Sequence, residues 1–481
     1  MKRSPATSLV LLLTSLASAV QAADLTQVAN AAWSYDGTWR SARMNWNADQ
    51  ELMVQGRAAL FPNISASYGR YDNDREIEDA PPLAPDEQNY GSEVSTFTLT
   101  QPLFRVDAWY GYKEAQSSTD IAQANFEQAR QDFVLRVAQG YFGVLRAWDT
   151  WVSAKAEEKA IGRQLEQTQE RFDVGLVPAT DVEEAQATYD LTQVNLIVAR
   201  QQYEIARDQL ETLTGQKWAT LLELRNELPM EGPQPTDMND WIEKAKAQNP
   251  QVLAALYNTE LTENTAKRQL GTMLPQVQLV GQYQHSHLSP DSSSSTGSLS
   301  SSSLYSSSSL YDTETKQIGI EVSMPLFQGG GLNSRRKEAY LRADAADYQY
   351  DQAVRDIVQQ TRSAYRTVEA DALRIKARQQ AIRSTRSALD ATQSGYEVGT
   401  RNVVDVLNAQ RALFAAERDY ANARYDYIIN SLTLKSTTGD LQQGDLAAVN
   451  NWLAPEQPLD LYNPDLDGKS EKMVPENSSI D

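Results

Sequence analysis

The stretch RFDVGLVPATDVEEAQATYD, from Arg171 to Asp190, returns as GYEVGTRNVVDVLNAQRALF from Gly395 to Phe414. Aligned at one constant offset, the copies share Val174/Val398, Gly175/Gly399, Asp181/Asp405, Val182/Val406, Ala185/Ala409 and Gln186/Gln410. Each copy reads as a sharp reversal between a very long helical pattern and a shorter one. A chain that carries such a reversal twice is expected to be duplicated, with its two turns at equivalent places.

The flanking sequence sets the scale of these helical hairpins. No proline lies between Pro102 and Pro178 or between Pro325 and Pro455, and Leu332 to Ser394 lacks glycine too. Long helices are predicted over 105–171 and 332–395, and shorter ones over 181–213 and 402–436. A helix of roughly 65 residues is about 100 Å long. That length belongs to a coiled coil or a helical tube. The shorter helices carry the packing code. Val182, Ala185, Tyr189, Thr192, Leu196, Ala199, Tyr203, Ala206 and Leu210 step by threes and fours. The second copy repeats the series with Val406, Ala409, Leu413, Ala416, Tyr420, Ala423, Tyr427, Asn430 and Leu434. This spacing is a coiled-coil seam, and its alternation of large and small residues lets helices interdigitate.

A different period appears four times. Residues 63–71, 92–101, 276–284 and 315–323 alternate, with Ile64, Ala66 and Tyr68, then Phe97 and Leu99, Val277, Leu279 and Tyr283, and Ile318, Ile320 and Val322 on one face. These are predicted strands, of a length that suits tilted transmembrane strands. An acidic, proline-rich loop joins the first pair. A serine-rich run from Ser286 to Thr313 joins the second and is expected to be mobile. Strand meets helical sequence at Pro62, Pro102, Pro275 and Pro325, and Phe61, Phe104, Trp109, Tyr110 and Phe327 nearby could form an aromatic girdle. Four strands cannot close a barrel, and lipid tolerates no open sheet edge. If these strands span a membrane, several chains must pool them.

The ends add context. Lys2 and Arg3 precede an apolar run from Leu9 to Leu16, and small residues around Ala22 suit cleavage, so residues 1–22 read as a secretory signal peptide. The first structural repeat is taken as 23–228, beginning with a helical stretch to about Leu60. The second is 229–440, after an irregular connector rich in glycine and proline. A C-terminal segment, 441–481, holds a short helix over 445–453 and is expected to be largely disordered after 455. With no cysteine there is no disulfide or thiolate metal site. A net charge of −20 argues against nucleic acid as a partner.

Weaker signals fail. Gly329, Gly330 and Gly331 begin no βαβ unit, so they are read as junction glycines rather than a dinucleotide loop. His285 and His287 share a strand face but have no third ligand nearby. No nucleophile–base pair, paired carboxylates or phosphate loop is visible, so neither an enzyme nor a cofactor is expected.

The runs RFDVGLVPATDV, GYEVGTRNVVDVLNA, ANARYDYIINSLTLKSTTGDL and PLFQGG make this sequence resemble the TolC family of outer-membrane channels, from about Asp24 to Leu453 apart from the strand-connecting loops. The resemblance implies an α+β membrane protein with internal duplication. Three chains would pool four strands each into a twelve-stranded outer-membrane β-barrel, continuous with a long periplasmic α-helical barrel. It implies an exit duct for tripartite multidrug efflux and type I protein secretion, closed at its periplasmic tip. Its partners would be outer-membrane lipid, two further copies in a homotrimer, a periplasmic adaptor, and an inner-membrane pump or ABC transporter that opens the duct on docking. A channel dedicated to one pump or one secreted protein is an alternative, and a nonconducting coiled-coil spacer is another.

By the same resemblance the gate network falls on Thr180, Asp181, Tyr396 and Arg401, with the Tyr396 hydroxyl and the Arg401 guanidinium as donors. Asp405 would form an entrance ring that favours cations. The next position of that ring, acidic in the family, is Asn408, and Glu170 stands where a family relative has Gln. Read without the resemblance, Thr180-x-x-Glu183 is a capping box, with Asp181 in the first helical turn.

Overall fold

The computed structural model describes residues 22–76, 87–225, 231–290 and 312–462. The expected signal peptide up to residue 21, the centres of both strand-connecting loops and the last part of the C-terminal segment lie outside them. Among the described residues no helix is long and apolar enough to cross a membrane. The chain forms two compact units. One comprises the residues up to Arg43, Glu127–Asn249 and those from Asp356 on; the other comprises Met44–Phe126 and Pro250–Arg355. Each unit draws on both sequence halves.

The second unit is built on a sheet. Its strands are β1 (Asn63–Glu76), β2 (Glu87–Phe104), β4 (Gln276–Pro290) and β5 (Asp312–Ser323), antiparallel in the order β1-β2-β4-β5. Directly opposed residues in such a ladder share a face. The register therefore lines up Ile64, Leu99, Gly281 and Ile318, with Ala66, Phe97 and Tyr283 beside them and Leu279 opposite Ile320. One face is an apolar band in which Ile64 is 74% exposed and Ile318 77%. The other carries Ser65, Ser67, Thr96, Thr98, Thr100, Gln278, Gln282 and Gln317. Among the described residues β1 pairs only with β2 and β5 only with β4, so both edges of the sheet are open.

All four strands outrun the predicted lengths. The β1–β2 ladder continues to Glu76 opposite Glu87, beyond the apolar pattern, and on this extension Asn73 donates from Nδ2 to the Ser92 hydroxyl at 2.9 Å, while an Arg70–Glu93 ion pair at 3.4 Å lies within the predicted strands. Pro102 is not the strand end that its position suggested. It sits within β2 at a register shift between Pro102 and Phe104, where a bulge absorbs its missing N–H. Pro62 and Pro275 do mark junctions. Each follows a helix, α2 (Gly37–Ala58) or α6 (Pro250–Gly271), closed by turn bonds such as Leu60 N–H to Arg57 and Leu274 N–H to Gly271. Pro325 follows β5, and nearby Phe327 is 85% exposed.

In the first unit, α1 (Leu25–Tyr35) starts where the Asp24 carboxylate accepts from the Gln27 N–H at 2.7 Å. The helical stretch expected to run on to Leu60 breaks at Asp36. There the carboxylate takes the Thr38 N–H and an Arg136 ion pair at 2.5 Å, and α2 begins. The long helices are α3 (Val106–Asp173) and α7 (Gly331–Glu397), the shorter ones α4 (Ala179–Thr214) and α8 (Val403–Thr437). Along the two seams every small position from Ala185 to Ala423 is buried or half-buried, as the periodicity required. Near the turns Ile161, Ala185, Tyr396, Val403, Val406 and Leu407 form one apolar cluster.

The predicted irregular connector contains a strand, β3 (Thr220–Leu224), followed by α5 (Met238–Gln248). The short helix expected over 445–453 forms as α9 (Gln443–Asn450), and the chain expected to lose order after 455 instead continues through β6 (Leu453–Asp460), which pairs with β3. The register shift between Leu222 and Glu223 leaves Pro455 out of the ladder, while Pro458 stays in it opposite Leu222. Tyr141, buried on α3, donates from Oη to the Leu222 carbonyl at 2.8 Å and accepts the Leu222 N–H at 3.1 Å. Leu221, Leu224, Leu453 and Leu459 bury the sheet's inner side.

Candidate gate at the twin turns

The two turns are copies in backbone as well as in sequence. In the first, Gly175 has φ 78°, its N–H bonds the Phe172 carbonyl, and the Leu176 N–H bonds the Arg171 carbonyl at 2.8 Å. In the second, Gly399 has φ 79°, its N–H bonds the Tyr396 carbonyl, and the Thr400 N–H bonds the Gly395 carbonyl at 2.8 Å. A left-handed residue closing a helix end in this way calls for glycine, which explains why Gly175 and Gly399 recur.

The copies part at the start of the next helix. The second is capped by Asn402: its side chain accepts from the Asp405 N–H at 2.8 Å, and the Asp405 carboxylate accepts from the Asn402 N–H at 3.4 Å. That is a reciprocal capping box. The first has Pro178 in the capping position, with no side-chain cap bond. The capping box read in Thr180-x-x-Glu183 does not form, since α4 already begins at Ala179 and Thr180 lies inside it. Asp181 is the counterpart of Asp405, but Pro178 has no N–H for its carboxylate to accept. One aspartate is thus tied to its own helix, and the other is left available to a neighbour.

Of the four expected gate residues, Thr180 is exposed and Asp181 half-buried at the first turn, while Arg401 is exposed at the second. Arg401 lies 3.7 Å from the Asp405 carboxylate, a loose pair on the same turn. Tyr396 is 6% exposed within the apolar cluster. Its hydroxyl is buried and has no hydrogen-bond partner among the described residues. The chain by itself places Tyr396 in one apolar cluster with Ala185 of α4, and among the described residues no bond joins Tyr396 or Arg401 to Thr180 or Asp181.

Asn408 lines a cleft of about 330 Å³ with Glu157, Asn195, Arg411 and Arg418. Burial pushes the Glu157 carboxyl above its usual range, against the pull of Arg418 and Arg411. Where the resemblance implied a second acidic ring, the side chains next to Asn408 are thus largely basic. The periodicity did not reveal this, although Arg411 and Arg418 lie on the Asn408 side of α8. Glu170 is exposed in the last turn of α3. In the other unit, His285 lies 3.2 Å from the Asp312 carboxylate, and no group of three metal-ligating side chains occurs among the described residues.

The profile of the outer membrane efflux protein family matches residues 37–216 and 241–440, each segment containing one turn. Outer membrane protein TolC of Vibrio cholerae serotype O1 is 33% identical over 90% of this chain and 95% of that protein. Alkaline protease secretion protein AprF of Pseudomonas aeruginosa is 28% identical over 88% of this chain and 86% of its own length. The crystal structure of the outer membrane protein VceC from Vibrio cholerae superposes with a TM-score of 0.70 at 18% identity, covering 86% of this chain and 96% of that one. The sheet with one apolar face, the paired helical hairpins and these matches together place the chain in the outer membrane efflux protein family, as an outer-membrane exit duct of α+β fold.

Proposed function

We propose that three copies of this chain pool their sheets into one closed outer-membrane barrel and form a duct that is shut at the twin turns. The observation that carries this reading is the pair of open edges, β1 and β5. With the order β1-β2-β4-β5 all antiparallel, β5 of one copy meets β1 of the next in antiparallel sense, so closure continues the existing ladder. The apolar face then meets lipid, and the Ser, Thr and Gln face lines the lumen. A second apolar surface supports the same assembly: Leu191, Val194, Ile197, Val198 and Ile205 are exposed along α4. Such a surface needs cover, and a further copy supplies it.

The duct passes cargo to the exterior without bond chemistry and without a cofactor. Small molecules delivered by an inner-membrane pump and proteins delivered by an ABC transporter are its cargo classes, the second favoured by the relative named for alkaline protease secretion. A periplasmic adaptor opens the tip by binding the open state more tightly than the closed one. Thr180, Asp181, Tyr396 and Arg401 hold the tip shut, and Asp405 with Asn408 lines its mouth. Asp181, lacking a cap to serve, is the acceptor free to meet the Arg401 of a neighbouring coil.

A strain lacking the chain tests the transport roles. Loss of drug and detergent tolerance together with loss of protein export, both restored by the wild-type gene, is the expected result. Restoration of export alone would leave only the channel dedicated to one secreted protein. In the purified protein, a native mass other than three chains would contradict the assembly.

A further inference from the structure

We infer that α7 of one copy docks on α4 of the next along a seam of opposite charge. This rests on the reading that three copies form the duct, and it names the surface that each copy offers its neighbour. Within the first unit the helices stand in a row. The Tyr203 ring of α4 stacks on Trp151 of α3 at 5.2 Å, and the Tyr425 hydroxyl of α8 donates to the Asp149 carboxylate of α3 at 2.6 Å. On the far side of α8, Asn430 donates to the Asp371 carboxylate of α7 at 2.7 Å. Above the apolar cluster at the turns, α4 and α7 are therefore the two ends of the row, each with a free face.

The two faces carry opposite charge. Between Arg362 and Arg386, α7 has seven basic side chains against two acidic ones, in a chain whose net charge is −20. Arg374, Arg378 and Arg386 pair with Asp371, Asp419 and Glu417. Arg362, Arg366, Lys376 and Arg383 are exposed on one side of the helix and make no ion pair among the described residues. Leu373, 64% exposed, lies among them. On α4, seven acidic side chains stand against two basic ones. Its exposed stripe, Leu191, Val194, Val198 and Ile205, is bordered by exposed Asp190 and Asp208. The levels match as well. Counted from the turns at 1.5 Å per residue, Arg383 stands about 21 Å up and Asp190 about 17 Å, Leu373 about 36 Å and Ile205 about 39 Å, and Arg366 about 47 Å and Asp208 about 44 Å. An apolar stripe edged by one sign of charge selects a helix edged by the other. The pairing follows the order seen in the sheet: a second-half edge, β5 or α7, meets a first-half edge, β1 or α4, of the next copy.

The chain contains no cysteine, so an introduced pair reports the contact directly. In the purified full chain, Leu373→Cys with Ile205→Cys, treated with a short bis-maleimide, is expected to give a covalent trimer on denaturing gels, and neither single variant any. Adding Arg366→Glu with Arg383→Glu is expected to cut that yield several-fold, and adding Asp190→Arg with Asp208→Arg as well is expected to restore it. Cross-links confined to one chain, or none, beside a native mass of three chains would overturn the seam and leave the three-chain reading standing. A yield indifferent to the charge reversals would overturn it too, since apolar cover alone would then join the copies. A native mass other than three for the wild type would remove the three-chain reading first.

Discussion

Pro178 and Asn402 occupy the same place in the two copies, and they decide what the aspartate three residues on can do. Asn402 lends its N–H to Asp405, whereas Pro178 has none to lend to Asp181. Replacing Pro178 with Asn is expected to complete the missing box, stabilising the start of α4 by about 1 kcal/mol and drawing Asp181 back to its own helix. The thermal midpoint should rise while resting conductance also rises. A variant that is more stable but no leakier would detach Asp181 from the gate. Asn402→Ala is expected to cost about 1 kcal/mol, read by thermal unfolding. Two buried carboxyls supply a pH signature. Burial raises both Glu157 and Glu417 above the ordinary glutamate carboxyl range, opposed by Arg418 and Arg411 in one case and by Arg386 in the other. The folded state then binds protons more tightly than the unfolded chain, so their contribution to stability falls as pH rises above about 4.5. Glu157→Gln is expected to narrow the loss of thermal stability between pH 4.5 and pH 7, and an unchanged slope would count against it.

At the scale of elements, the coiled-coil seams were legible because their period is long and their small residues are buried by packing in the same chain. Ala185 and Ala423 admit no larger side chain, and Ala185→Leu is expected to cost about 1–3 kcal/mol through overpacking, measured by thermal unfolding. Gly439 shows a constraint that periodicity does not carry. It has φ 77°, and a Cβ there would collide with the Gln248 carbonyl, so Gly439→Ala is expected to destabilise the junction of α8 and α9. The β3–β6 pair was not legible for a related reason. Each strand is short, β6 holds two prolines, and its partner lies far away in sequence, so no local pattern announces the pairing. The true ends of the barrel strands were hidden as well. Beyond the apolar band the ladder is held by polar bonds such as Asn73 to Ser92 and by backbone bonds, which leave no alternation of hydrophobicity to read. Likewise the gate positions were assigned by motif, whereas the approach of the Arg171 guanidinium to the Tyr396 ring, at 4.6 Å, was not legible, because an arginine in the last turn of a helix reads equally well as a partner for the helix dipole.

In the assembled molecule, two open strand edges and an uncovered apolar helix face lead to a pooled barrel, and a duplicated turn to a closable tip. The measurement that tests the central claim most directly is single-channel conductance of the purified wild-type protein beside Arg401→Glu in a planar bilayer. The account predicts a small, cation-preferring resting conductance for the wild type and a several-fold larger one for the variant, at unchanged trimer stability. No conductance from either protein would contradict it, and would leave a nonconducting coiled-coil spacer instead of an exit duct.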